Sequence, residues 1–254
     1  MVPHLAACRR LTNVQLTRID FRAADLQAFA EALPQLQTLK FIACELASLF
    51  ALCLLQQLLT LELLKCSSEL PDLSVLTDMP SLRSFSIHMI APDGRTPLAP
   101  AQTRQLVAHL AGCRRLTELG LAHVTFTDAG IKALVKAVPR LVKCAFEDCK
   151  LPPLSALRDM QQLRELRIAN PSTLKLDWVS ALAEVRHLRV LHVGPPRPAK
   201  ATGWRAQLGA HLGPTLKAHQ EINVVQQLLR SDLFAHIPDV HGPNTDSNDS
   251  QERW

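Results

Sequence analysis

The sequence has no tyrosine among its 254 residues, only 4% aromatic residues in all, and nine glycines. So few aromatics leave any binding surface without the Tyr and Trp anchors on which interface hot spots usually rest. They also leave it without rings on which nucleic-acid bases could stack. The few glycines form no phosphate-cradling GxxxxGK(S/T) loop, and the hydrolase motifs GxSxG and HExxH are missing too. No catalytic residue is assigned, and the chain is expected not to be an enzyme. No apolar run reaches the roughly 18 residues of a membrane span, so no membrane partner is expected. Met1 to Ala7 is too short for a secretory signal. The reading is therefore a soluble protein of the cytoplasm, with the nucleus as the alternative. The net charge of +5 is mild and lacks the clustered basic signature of a dedicated nucleic-acid domain.

Seven cysteines at irregular spacing cannot complete a disulfide framework, which fits a reducing compartment. Nor do they pair with the ten histidines as CxxC or HxxxH, the short spacings that zinc needs, so no metal and no cofactor is expected.

What the chain has in excess is leucine: 45 residues, nearly one in five. The leucines fall into a period. The pattern Leu, two residues, apolar, one residue, apolar begins at Leu11 (LTNVQL), Leu36 (LQTLKF), Leu58 (LLTLEL) and Leu82 (LRSFSI). It begins again at Leu116 (LTELGL), Leu141 (LVKCAF), Leu163 (LRELRI) and Leu188 (LRVLHV), and the successive spacings are 25, 22, 24, 34, 25, 22 and 25. Within each match the apolar residues alternate, as in Leu119 and Leu121, which points one side of a strand inward. Between matches the period changes. Asp128, Ile131, Leu134, Val135 and Val138 lie three and four apart, one helical face with Thr127 or Asp128 as its cap. Each unit is thus read as a strand and a helix that cannot bury its apolar face without its neighbours.

A longer duplication overlies the short one. HLAACRRLT at residue 4 returns as HLAGCRRLT at residue 109, and the same offset of 105, carried through residue 63, gives 25 identities in 60. Two blocks result, about 4–108 and 109–212, within a repeat region of 1–216. Residues 217–237 carry Ile222, Val225, Leu229 and Leu233 at mainly helical spacing and are expected to form a capping helix. The polar, Pro- and Ser-containing stretch 238–254 is expected to be disordered.

The eight in-phase matches resemble the leucine-rich repeat family, whose unit is a short strand followed by a helix or 3₁₀ turn. The resemblance implies an α/β solenoid of about eight repeats, with a curved parallel sheet on the concave side and helices or 3₁₀ turns on the convex side. Cys44, Cys66 and Cys149 stand eight places after an opening Leu, where this family carries an Asn or Cys that turns the chain inward. Cys144 replaces a core Leu, Cys8 and Cys113 are duplicates, and Cys53 falls in a predicted helix, so all seven are expected to be buried structural thiols. FTDAGIKALVKAVPRL (Phe126 to Leu141) is similar to the longer helical unit of the ribonuclease-inhibitor-like type, and the Cys-ended strands are similar to the type found in F-box substrate receptors. The family implies a non-enzymatic module that binds protein. The alternatives are the substrate-recognition part of a ubiquitin-ligase receptor lacking its F-box, a small-GTPase regulator, or a degenerate repeat protein.

In such a solenoid the residues between the inward leucines face the concave side. The candidate contacts there are Lys40, Glu62, His88, Glu118, Lys143, Glu147, Arg167 and His192. A second candidate is a basic rim for an acidic protein. Val185 to Gln220 contains no acidic residue and holds Arg189, Arg197, Lys200 and Arg205, and the matching region of the first block holds Arg83, Arg95, Arg104, Arg114 and Arg115; Arg95, Arg104, Arg197, Lys200 and Arg205 are the candidate rim residues. The chain also begins inside a repeat with no polar cap. That reading expects a truncated product with an apolar edge at Leu5, Leu11 and Leu16 and self-association through it.

Overall fold

Every leucine motif is a strand in the computed structural model of the chain, which describes residues 8–66, 72–89, 98–169, 182, 185, 187–194 and 223–224. In chain order the strands are β1 (Asn13–Thr17), β2 (Asp20–Phe21), β3 (Thr38–Ile42), β4 (Glu45–Leu46), β5 (Thr60–Cys66) and β6 (Ser84–Met89). They continue with β7 (Glu118–Ala122), β8 (Lys143–Glu147), β9 (Glu165–Ala169), β10 (Val190–Val193) and β11 (Asn223–Val224). Nine of them form one sheet in the order β1-β3-β5-β6-β7-β8-β9-β10-β11, parallel at every pairing, while β2 and β4 pair separately at the turn that follows the first two repeats.

Register turns the sequence period into core rows. Leu39, Leu61, Phe85, Leu119, Cys144, Leu166 and Leu191 lie side by side across seven strands, and Phe41, Leu63, Ile87, Leu121, Phe146, Ile168 and Val193 form the next row. All of these are buried in one continuous cluster with the opening leucines Leu36, Leu58, Leu82, Leu116, Leu141, Leu163 and Leu188. Phe126 meets Phe146 edge to face at 5.7 Å, and Phe21 meets Phe41 in the same way at 5.7 Å. Those two pairs are copies of one another at the offset of 105.

The connections vary with the space available. The units opening at Leu11, Leu82 and Leu116, spaced 25, 34 and 25, carry helices α1 (Ala23–Ala32), α2 (Pro100–Leu110) and α3 (Asp128–Ala137). The units of 22, 24 and 22 residues instead carry 3₁₀ turns at Phe50–Leu54, Leu73–Asp78 and Leu154–Asp159. Both kinds of convex connection that the resemblance implies, helix and 3₁₀ turn, are present. A shorter connection spans the same distance between strands with fewer residues, and the 3₁₀ form rises further per residue than the α form. Cys53 accordingly sits in a 3₁₀ turn and is half-buried.

The starts of the helices follow from local chemistry. Thr127 caps α3, its Oγ1 accepting from the Gly130 N–H at 3.1 Å, and Ile131, Leu134 and Val135 face the core. Pro100 opens α2, and the Gln102 side chain accepts from the Ala99 N–H at 3.0 Å. The first helix has no side-chain cap and is held by burying Leu26, Phe29 and Ala30.

Five units carry a residue of left-handed conformation seven places after the opening Leu, at the strand end: Arg18, Ala43, Lys65, His123 and Asp148 have φ of 55°, 51°, 54°, 55° and 49°. None is glycine. Their backbone compensates by bonding across the sheet: the Arg18, Ala43, His123 and Asp148 N–H groups donate to Ile42, Leu64, Glu147 and Ala169 carbonyls at 2.8–3.0 Å. The thiols one place later complete the turn. Cys44 Sγ donates to the Leu16 carbonyl at 3.5 Å and Cys149 Sγ to the Leu121 carbonyl at 3.4 Å, each reaching into the preceding repeat.

At the N-terminal edge Leu11 is exposed while Leu16 is buried, so only part of the expected apolar edge is open; Leu5 lies outside the described residues. Within 217–237, expected to form a capping helix, Asn223–Val224 instead extends the sheet beside Val190 and Leu191 of β10. The rest of that segment and the stretch 238–254 lie outside the described residues.

Two substitutions test this packing. A Cβ at Gly112 would stand 2.7–2.9 Å from Thr77 of the preceding repeat, its Cα included. Gly112→Ala is therefore expected to lower stability by about 1–3 kcal/mol, read as a fall in the urea midpoint at constant slope. Conversely, Ala43→Gly relieves a left-handed non-glycine residue, and its midpoint is expected to rise by about 1 kcal/mol.

Candidate functional site

The parallel register that builds the core also sorts the opposite, concave face into three rows. The first runs through Thr38, Thr60, Ser84, Glu118, Lys143, Glu165 and Val190; the second through Lys40, Glu62, Ser86, Gly120, Ala145, Arg167 and His192. The third, at the strand ends, holds Ile42, Leu64, His88, Ala122, Glu147 and Ala169. All eight residues expected to form the concave surface fall in these rows.

They pair with one another. Lys40 meets Glu62 at 2.8 Å, Lys143 meets Glu118 at 3.2 Å, and Arg167 meets Glu165, two places earlier on its own strand, at 2.9 Å. The accessibility of the pairs differs sharply. Lys40 and Glu62 keep 10% and 17% of their side-chain surface, against 46% and 34% for Lys143 and Glu118. An exposed pair of this kind is worth less than about 1 kcal/mol to stability and is free to exchange partners.

The expectation that all concave residues face solvent is corrected by burial in the middle of the sheet. Lys40, Ser86 and His88 are buried, and Ile42, Leu64, Ala122 and Ala145 form a second, small apolar cluster. A signal for this stood in the sequence. Phe41–Ile42, Leu63–Leu64 and Leu121–Ala122 are adjacent apolar residues that break the alternation, the mark of a parallel strand buried on both faces. The more accessible charges of the concave face are in its C-terminal half, where Glu118, Lys143, Glu165, Arg167 and His192 stand on β7 to β10, while the exposed Asn13, Gln15 and Thr17 of β1 carry no charge.

His88 stacks on His123 with ring centroids 4.8 Å apart. Burial, then the neighbouring His123 and Lys65 charges, push the His88 pKa down from 6.5 to about 3, so its imidazole stays neutral at ordinary pH. Partial burial and the Arg167 guanidinium hold His192 below the usual histidine range, against a smaller upward pull from Glu165.

All seven cysteines carry free thiols. Five are buried as expected, whereas Cys53 is half-buried and Cys8 is exposed. Burial pushes the Cys66 and Cys149 thiols up to about 12 and Cys113 up to about 11, and lifts Cys144 further still. Protonated, buried thiols are poor nucleophiles and poor metal ligands. Among the described residues no three His, Cys, Asp or Glu side chains gather as a metal-binding set, and no helix is long and apolar enough to cross a membrane.

Of the basic rim, Arg104 is exposed on α2, while Arg95, Arg197, Lys200 and Arg205 lie outside the described residues. Arg83 and Arg115, named with the rim, come together with Arg140, which was not. Arg83, Arg115 and Arg140 line a groove of about 320 Å³ with Thr117 and Gln162, at the edge where the strands begin.

No protein-family model matches the sequence, and no curated protein matches it. Solved structures do. An internalin (inlF) of Listeria monocytogenes is similar over 89% of this chain and 64% of its own, with a TM-score of 0.50 and 15% identity. The fold is a leucine-rich repeat solenoid. An internalin C2 (inlC2) of the same organism matches 78% of this chain and 79% of its own at 15% identity, with a TM-score of 0.49. Identities this low speak to the solenoid alone.

The buried groups make the solenoid sensitive to pH in a defined direction. Because the folded His88 pKa lies below its ordinary value, its contribution is complete above about pH 6.5 and is lost as the pH falls toward 3. Between pH 6 and 4 the wild-type chain should lose stability faster than His88→Gln by about 1.4 kcal/mol per pH unit, measured from urea midpoints; parallel curves would contradict this. The raised thiols act oppositely, and stability should decline as the pH rises from 9 toward 12. At pH 8 a thiol reagent should find Cys8 and Cys53 first, and all seven thiols only after denaturation without reductant.

Proposed function

We propose that this chain is a non-enzymatic scaffold that binds another protein through the accessible C-terminal half of its concave face. One observation carries the reading: the register holds Glu118, Lys143, Glu165 and Arg167 as adjoining, exposed or half-exposed charges on three consecutive strands. Rigid neighbouring strands place these charges at fixed separations of roughly 5 Å, which suits recognition of a folded partner surface. The contacts are charged, so complementary charge on the partner would set specificity and association rate more than affinity. The likeness to the internalin solenoids supports the architecture of such a surface.

A narrower reading, the substrate-binding part of an F-box ubiquitin-ligase receptor, draws on Cys44, Cys66 and Cys149, whose thiols close the strand ends on backbone carbonyls. Co-purification with adaptor subunits of a ubiquitin ligase would favour it. The buried free thiols fit a reducing compartment, cytoplasm or nucleus.

The test is a comparison of partners. Glu118, Lys143, Glu165 and Arg167 are changed together to Ala, and proteins cross-linked to this variant are compared with those cross-linked to the wild-type chain. The variant should keep its urea midpoint to within about 1 kcal/mol, since these pairs are exposed or half-exposed. It should lose at least one partner that the wild type retains at matched concentration. Identical partner sets would refute the concave reading.

A further inference from the structure

The concave charges are satisfied by one another; the arginines at the edge are not. Arg83, Arg115 and Arg140 are exposed, and none of their guanidinium groups makes an ion pair or hydrogen bond with a described residue. The two carboxylates in the adjoining concave row, Glu118 and Glu165, are engaged by Lys143 and Arg167. We propose that this arginine-lined edge groove is a second binding site, separate from the concave face, for an extended acidic peptide segment of a protein partner.

The placement follows from the repeat. Arg83 is the residue after the opening Leu of its unit, and Arg115 and Arg140 are the residues before theirs, so all three project where the chain enters a strand. The backbone there is fixed by a ladder: Thr117 N–H donates to the Arg83 carbonyl, Val142 to Thr117, Arg164 to Val142 and Arg189 to Arg164, all at 2.8 Å. Exposed Arg114 and Arg189 and half-exposed Arg164 continue the same edge. From β6 to β10 the edge spans four strand spacings, roughly 19 Å, the length of about six extended residues.

The fold does not require these charges. In the first copy Gln35 stands at the place of Arg140 and Leu59 at the place of Arg164, whereas Arg9 and Arg10 already hold the places of Arg114 and Arg115. Between Arg10 and Arg83 the line carries Gln35, Gln37, Gln57 and Leu59, and from β6 onward the arginines are close-set. Planar guanidinium groups at regular spacing match carboxylates along an extended chain, each able to hold one through two parallel hydrogen bonds. The lining contains no aromatic ring, so it offers single-stranded nucleic acid its phosphate contacts but no stacking.

The probe is a fluorescein-labelled ten-residue peptide alternating Glu and Ser, titrated with the full chain at 50 mM salt. Arg83→Gln, Arg115→Gln and Arg140→Gln are combined in one variant; at position 140 this restores the residue of the first copy, and a matching urea midpoint verifies folding. The variant should bind the peptide at least tenfold more weakly, and 300 mM salt should weaken the wild type comparably. The concave alanine variant should bind it as the wild type does, which separates this proposal from the concave reading. Undiminished binding by the arginine variant overturns the proposal, as does equal loss in the concave variant. Tighter binding of a ten-residue oligouridylate than of the peptide overturns it in favour of nucleic acid.

Discussion

Each strand of this protein is held only by the strands beside it, in one parallel register that never slips by a residue from β3 through β5 and from β6 to β10. A five-residue strand has no partner within its own unit, so its backbone donors and acceptors are satisfied by the neighbouring repeats. The side chains inherit the same alignment. A slip of one residue would exchange the core rows for the concave rows, so the leucine positions, the charge pairs and the arginine edge all rest on this one constraint. The one irregularity among the described residues, between Leu64 and Cys66 where β5 meets β6, lies where the first block passes from its third to its fourth unit.

The register also explains how non-glycine residues tolerate a left-handed backbone. Arg18, Ala43, His123 and Asp148 would each cost energy in isolation. Here each donates its N–H to the next strand's carbonyl, and a cysteine thiol one place later closes two of these turns on the strand before. Local strain at one place is thus offset by hydrogen bonds that exist only when repeats stack. Cysteine serves because it is small enough to be buried and keeps its proton there, with desolvation pushing Cys149 up to about 12.

The two copied blocks share that frame and differ in what they display. Packing positions stay alike, as in Phe21 and Phe41 against Phe126 and Phe146, which repeat the same edge-to-face contact. At the edge Gln35 gives way to Arg140 and Leu59 to Arg164, while Arg9 and Arg10 recur as Arg114 and Arg115. The convex turn changed from exposed Phe50 and Leu54 to Ser155 and Asp159 at the same offset. A stacked solenoid permits this because each repeat's outward residues contribute little to the neighbour terms that set stability.

Eight strand positions were legible in the leucine spacing, since burying a strand face demands an apolar residue at every second place and stacking demands it at the same place in each unit; the two-residue strands β2, β4 and β11 were not. The cap at Thr127 and the helical face of Ile131, Leu134 and Val135 were legible for the same local reasons. The concave residues could be named from that frame, because period 2 assigns each residue to a face. Their exposure could not: Lys40 and His88 are as much between leucines as Lys143 and Arg167, and burial depends on what packs across several strands. The choice of 3₁₀ turn over α-helix, the pairing of Lys143 with Glu118, and the gathering of Arg83, Arg115 and Arg140 from three separate repeats likewise came only from the tertiary structure. Sequence alone determined the period and hence the fold, because those depend on neighbours along the chain. Which charges are spent on one another and which stand free depends on neighbours across the sheet, up to 57 residues apart in the arginine groove, and only stacking the repeats decides that.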